Sequence, residues 1–100
     1  MTVVVAGTLR VPVANLPDLK PHMLTMIAAT RGEDGCVDYS YAEDIAEPGV
    51  IRVAEVWRDK DALKAHFTMP HMAAWRAAGE KFGVSDRRLT LYDISREKLL

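Results

Sequence analysis

Two hydrophobic rhythms alternate along the chain, and their order predicts its elements. Val3 to Arg10 is a β-branched, apolar run of strand length. From Asn15 the period changes. Leu16, Leu19, Met23, Ile27 and Thr30 recur at three- and four-residue steps, the stripe of an amphipathic helix with Asn15 as its cap. Pro21 falls inside this stripe and has no N–H to donate, so it is expected in the first turn or at a kink. Arg31-Gly32-Glu33-Asp34-Gly35 ends the helix. Cys36 to Glu43 then alternates strictly, with Val37, Tyr39 and Tyr41 on one face. Glu47-Pro48-Gly49 reads as a turn into a third strand, Val50 to Trp57. Arg58 to Asp61 starts a second helical segment whose inward face is Ala62, Leu63, His66 and Phe67. Thr68 and Pro70 restart a helix, proline being favoured at a first helical position, and Met72, Trp75, Ala78 and Gly79 continue its face. Leu89 to Ile94 closes the series as a fourth strand.

The order βαββαβ is that of the split βαβ motif. It predicts one α+β, ferredoxin-like domain over residues 1–100, with a four-stranded antiparallel sheet. The third strand adds an expectation about assembly. Val50, Ala54 and Val56 point one way and Ile51, Val53 and Trp57 the other, so both faces are apolar. Only one face of a two-layer fold meets helices. The sheet of a second subunit is the economical cover for the other, giving a homodimer through sheet faces.

Composition narrows the function classes. Thirteen Lys and Arg against fourteen Asp and Glu leave no basic excess for nucleic acid or an anionic membrane. The N-terminus has neither a basic leader nor a continuous apolar span, and the single cysteine fits a reducing compartment, so a cytoplasmic protein without membrane contact is expected. Cys36 reads as a small buried thiol rather than a nucleophile.

Candidate chemistry gathers in residues 55–75. His66 and His71 are five apart across a proline, which does not place two imidazoles on one helix face, and no third Cys or His lies near; no metal and no other cofactor is expected. Glu55 shares a strand face with Ile51, Val53 and Trp57, so its carboxyl must pair or keep its proton. His66 sits on the apolar face of the second helix, where a Glu55–His66 pair can form across the two layers. That pair is either a catalytic acid/base couple or a satisfied hydrogen bond of the core. His71, in the first turn after Pro70, reads as a neutral donor or acceptor or as an exposed helix start. Trp57, Phe67, Trp75, Tyr39 and Tyr41 are core aromatics that become pocket walls where a cavity exists, and His22 is expected in solvent.

Four pieces carry a resemblance across nearly the whole chain: Glu33 to Tyr39 (EDGCVDY), Glu55 with Trp57, Ala65-His66, and Met69 to Met72 (MPHM). In this order the sequence resembles the antibiotic biosynthesis monooxygenase (ABM) family of dimeric α/β-barrels, notably its quinol monooxygenase-like branch. The resemblance implies two protomers packed sheet to sheet, each with a pocket between sheet and helices. The haem-degrading branch pairs Trp57's counterpart with an asparagine and a haem-ligating histidine, which fall at Gly7 and Arg76 here. The polyketide-oxidising branch has polar groups where this chain has Val53 and Leu63. What remains, Glu55 with Trp57, His66 and Pro70-His71, is shared by quinol monooxygenase-like members, an isomerase branch and members without assigned activity; resemblance to the first implies a cofactor-free monooxygenase acting on a small aromatic or quinol with O₂. His66 is then the base, oriented by Glu55, and His71, Trp57, Phe67, Tyr39 and Trp75 surround the substrate. Two other readings stay open. One is a dimer that binds a small apolar ligand without turnover. The other is a proton-shuttling isomerase of a small phosphorylated hydroxycarbonyl, for which Arg10, Arg52 and Arg76 are the central cations.

Overall fold

In the computed structural model, which describes residues 1–100, the chain order is β1 (Val3–Arg10), a short 3₁₀ turn (Val13–Asn15), α1 (Leu16–Arg31), β2 (Cys36–Glu43), β3 (Val50–Trp57), α2 (Lys60–His66), α3 (Pro70–Phe82) and β4 (Ser85–Asp93). The strands form one antiparallel sheet in the order β2-β3-β1-β4, the ferredoxin-like α+β arrangement that the pattern predicted. No helix is long and apolar enough to cross a membrane.

Burial follows the two-residue period of the strands. Val3, Val5 and Leu9 of β1 and Ile51, Val53, Glu55 and Trp57 of β3 are buried against the helices, together with Tyr39 of β2. Leu19, Met23 and Met26 of α1, Ala62 and Leu63 of α2, and Trp75 and Ala78 of α3 fill the same core. Removing that apolar surface from water is the main favourable term, at roughly 25 cal/mol per Å². The opposite sheet face is less apolar than the pattern implied. Val4, Ala6 and Val56 are partly open there, and Arg52 and Ala54 are exposed.

Three local expectations give way to specific contacts. Asn15 makes no side-chain cap; its amide instead donates to the Phe82 carbonyl at 2.9 Å, tying the start of α1 to the end of α3. Pro21 lies inside α1, beyond its first turn, in a helix that continues to Arg31. Pro17 and Pro21 are both exposed, so the hydrogen bond that Pro21 cannot donate is missing on the solvent side of the helix. Strict alternation fails at the start of β2. Cys36 pairs with Trp57 and Asp38 with Val56, which leaves Val37 as the extra residue of a bulge. Val37 is therefore 65% exposed, and Cys36 takes its place against the core.

Two glycines fix approaches that matter for the site. Gly7 lies where β4 crosses β1, and a Cβ there would sit 1.8 Å from the Arg88 carbonyl oxygen. Gly35, at φ +84°, turns the chain into β2 directly beneath Ala62 of α2, whose Cβ would be 2.5 Å from a side chain at that position.

Candidate functional site

His66 is the last residue of α2, and its position follows from how that helix begins. Asp59 caps α2, its carboxylate accepting from the Ala62 N–H at 2.8 Å. Ala62, Leu63 and His66 then turn inward, and His66 is only 2% exposed. Its ring packs on Trp57 at a centroid distance of 4.8 Å, and on Tyr39 at 5.6 Å and Phe67 at 5.8 Å. Pro70 starts α3, which places His71 in its first turn.

The partner of His66 is not Glu55. Its Nδ1 lies 2.6 Å from Oε2 of Glu33, and the same oxygen lies 2.7 Å from Nε2 of His71. Glu33 sits in the turn between α1 and β2, and its side chain is 5% exposed. An ionised carboxylate has only lone pairs to offer, so both ring nitrogens facing Glu33 are N–H donors. With a neutral His66 that arrangement puts the ring's lone pair on Nε2. His66 lines a cavity, and its Nε2 has no protein partner and is not sealed. Glu33 Oε1 is buried without a partner.

Glu55 is bound differently. Its Oε1 accepts from the Trp57 indole N–H at 2.9 Å. Its other oxygen is unpartnered, and Glu55 lines the same cavity as His66. Burial raises the Glu55 pKa above the ordinary carboxylate value and the charge of Glu33 adds to this, while the Trp57 hydrogen bond and His66 oppose it. Glu55 and His66 thus meet as two separate groups at one cavity, an acid biased toward its protonated form and an imidazole with an open lone pair.

The cavity is about 280 Å³ and is lined by Tyr39, Tyr41, Phe67, Trp75, Met72 and Leu89, among others. Tyr39 and Tyr41 share a hydrogen bond between their hydroxyls at 2.5 Å. Burial pushes both phenols up, Tyr41 to about 12 and Tyr39 further, so the pair remains a source of O–H donors. Burial likewise raises the Cys36 thiol, and the charges of Glu33 and Glu55 add to it. That disfavours the thiolate a nucleophile needs.

Of the residues singled out in the sequence, Glu55, His66, Phe67, Tyr39 and Trp75 line the cavity. Trp57 does not. It is fully buried beneath, where it holds Glu55 and packs on His66. His71 does not line it either. It holds Glu33 and borders a separate space of about 50 Å³ that His22, Thr25 and Trp75 also line. His22 is exposed as expected and tilts against Phe82 at 5.5 Å.

Glu33 was not given a role from sequence, because it joins the histidines across 33 and 38 positions and no local spacing reports such a contact. Glu33, His66 and His71 are also the one set whose potential metal-binding atoms converge, all within 4.8 Å. Two nitrogens and a carboxylate oxygen suit zinc or iron. Here the three are joined by hydrogen bonds of 2.6 and 2.7 Å, shorter than the roughly 3.3 Å that separates ligand atoms around a tetrahedral ion with 2.0–2.1 Å bonds.

Comparison with known proteins places this arrangement. The family model described as antibiotic biosynthesis monooxygenase matches residues 2–78. A Deinococcus radiodurans structure named for the same family superposes with a TM-score of 0.89 at 26% identity, over 100% of this chain and 98% of that one. A Mycobacterium tuberculosis structure gives 0.82 at 28% identity, over 97% and 98%. An uncharacterized Synechocystis protein is 30% identical over 98% of this chain and 67% of its own length. The match takes in every residue of the Glu33–His66–His71 and Glu55–Trp57 pairings, and the chain belongs to the antibiotic biosynthesis monooxygenase family.

Proposed function

We propose that the chain is a cofactor-independent monooxygenase that oxidises a small planar aromatic or quinol with O₂. The observation that carries this reading is His66 in the wall of an aromatic-lined cavity, held through Nδ1 by Glu33 and without a protein partner on Nε2. A volume of about 280 Å³ is at the low end of the ~300–1,000 Å³ usual for small-molecule sites, which favours one or two fused rings.

His66 Nε2 takes the proton of a substrate hydroxyl, and Glu33 offsets the positive charge that appears on the ring. The substrate anion then gives one electron to O₂. The radical pair joins through a new C–O bond to give a hydroperoxide. Loss of water leaves a carbonyl at a carbon that carried two hydrogens in its keto form; one oxygen atom stays in the product and the other leaves as water. Glu55, biased toward its protonated form, is placed to donate to the departing oxygen, and the Tyr39–Tyr41 hydroxyls to the anion. The apolar walls keep bulk water from the radical pair. In this scheme Trp57 and His71 are positioning residues: Trp57 orients Glu55, and His71 fixes Glu33.

The test is oxygen uptake with a panel of quinols and anthrone-type phenols, without added metal or flavin. His66→Ala is expected to lower kcat by about 10²–10⁴. Glu33→Gln keeps the accepting oxygen but loses its charge, so kcat falls while KM changes little. Unchanged kcat in His66→Ala rules out the base assignment. Saturable binding of the same quinols with no oxygen uptake favours the second reading, a ligand-binding protein without turnover.

A further inference from the structure

We infer that the substrate carries an anionic group, held at the mouth of the cavity by Arg76 and Arg87. This rests on the reading of the cavity as a planar-substrate site. Among its twelve lining residues the guanidinium cations are Arg76 and Arg87, and Glu55 is the one carboxyl. Neither arginine forms an ion pair. Arg10, Arg52 and Arg58 do, with Glu47, Asp44 and Asp34; Arg31, Arg88 and Arg96 do not either, but they do not line the cavity. Arg10 and Arg52 are thereby committed elsewhere, and neither lines the cavity. The acids nearest in the fold, Glu80 and Asp86, border a neighbouring surface groove with both arginines, yet neither lies within ion-pair distance of them.

The placement is specific. Arg76 follows Trp75 on α3, beside an aromatic wall. Arg87 reaches across from β4 to α3, where its Nη2 lies 3.7 Å from the position of a Cβ on Gly79. Its charge is felt inside the cavity, where it partly counters the effect of burial on the Tyr41 hydroxyl. Two guanidinium groups at one mouth, neither tied up in an ion pair, leave N–H donors free for an anion. A guanidinium presents paired N–H donors that match a carboxylate or a phosphate. The same charges favour the second anion that forms when His66 removes the hydroxyl proton.

Calorimetric titration of the wild-type chain with 1-naphthol, 1-hydroxy-2-naphthoate and 1-naphthyl phosphate tests this directly. The carboxylate or the phosphate is expected to bind at least about tenfold tighter than the neutral naphthol, and whichever gains more identifies the group. In Arg76→Met/Arg87→Met, with its circular dichroism unchanged, that preference should collapse and the loss should fall mainly on the anionic ligand. If 1-naphthol binds as tightly as both anions, or the preference survives in the double variant, the anion assignment is overturned while the planar-substrate reading stands. If none of the three binds, both are overturned.

Discussion

Glu33 Oε2 serves two imidazoles at once, and Glu55 serves none, although both carboxyls lie in the same core. The difference sets their chemistry. Glu33 is met by two N–H donors, whereas one oxygen of Glu55 is met by an indole N–H and the other by none. Burial therefore dominates at Glu55 and raises its pKa. A raised carboxyl pKa means that the folded chain binds this proton more tightly than the unfolded chain. Glu55 thus favours the fold at acid pH, and this contribution is lost as pH climbs from the unfolded value near 4.5 through the raised one. Glu55→Gln removes the titration and keeps an oxygen for the Trp57 N–H. Thermal melts should show near-equal melting temperatures at pH 4 and a growing advantage for the variant toward pH 7. The reverse trend would mean that the carboxylate is satisfied when ionised. The sequence exposed half of this contrast: an acid on an apolar strand face is visible from alternation, whereas a turn residue bonded to two distant rings is not.

Elements were legible where periodicity is strong and less so where one residue resets it. The first three strands, α1 and the split between α2 and α3 at Pro70 follow from spacing alone. The Val37 bulge does not, because a bulge keeps the apolar letters and changes only their phase. The start of β4 was missed for a related reason. Ser85 to Arg88 is polar, and the backbone ladder with β1 holds it rather than burial. That ladder makes Gly7 the tightest point of the sheet. A methyl group in Gly7→Ala would meet the Arg88 carbonyl, a backbone atom that cannot rotate away. We expect a loss of about 1–3 kcal/mol in urea denaturation, the usual range for overpacking. A smaller loss would show that β4 can shift outward freely.

At the scale of the whole molecule, one sheet face remains without helices. The ladder sets Val4 beside Val56 and Tyr92, and Ala6 beside Ala54 and Thr90, which gives small and apolar rows flanked by Arg52 and Arg88 next to Thr8. Such a face suits a second copy of the chain. Equilibrium ultracentrifugation should return twice the monomer mass for the wild type. Ala54→Arg, which would bury an unpaired charge between the sheets, should return one. A monomeric wild type would remove the sheet-to-sheet dimer. The two-sided third strand led to the same expectation of a dimer, but exposed Arg52 makes the face more polar than that reasoning supposed.

The turn that carries Glu33 makes the site depend on distant parts of the chain. Nothing within α1 or β2 holds the Glu33 side chain; its partners arrive with α2 and α3. The turn is itself pinned from the far side, where Arg58 donates its backbone N–H to the Gly35 carbonyl at 2.8 Å and its guanidinium meets Asp34. The end of β3 and the start of α2 thus clasp the turn beside the helix that carries His66. The carboxylate and the two imidazoles come from three separate stretches of the chain, so only the complete fold brings them together and the site has no local unit that could survive alone.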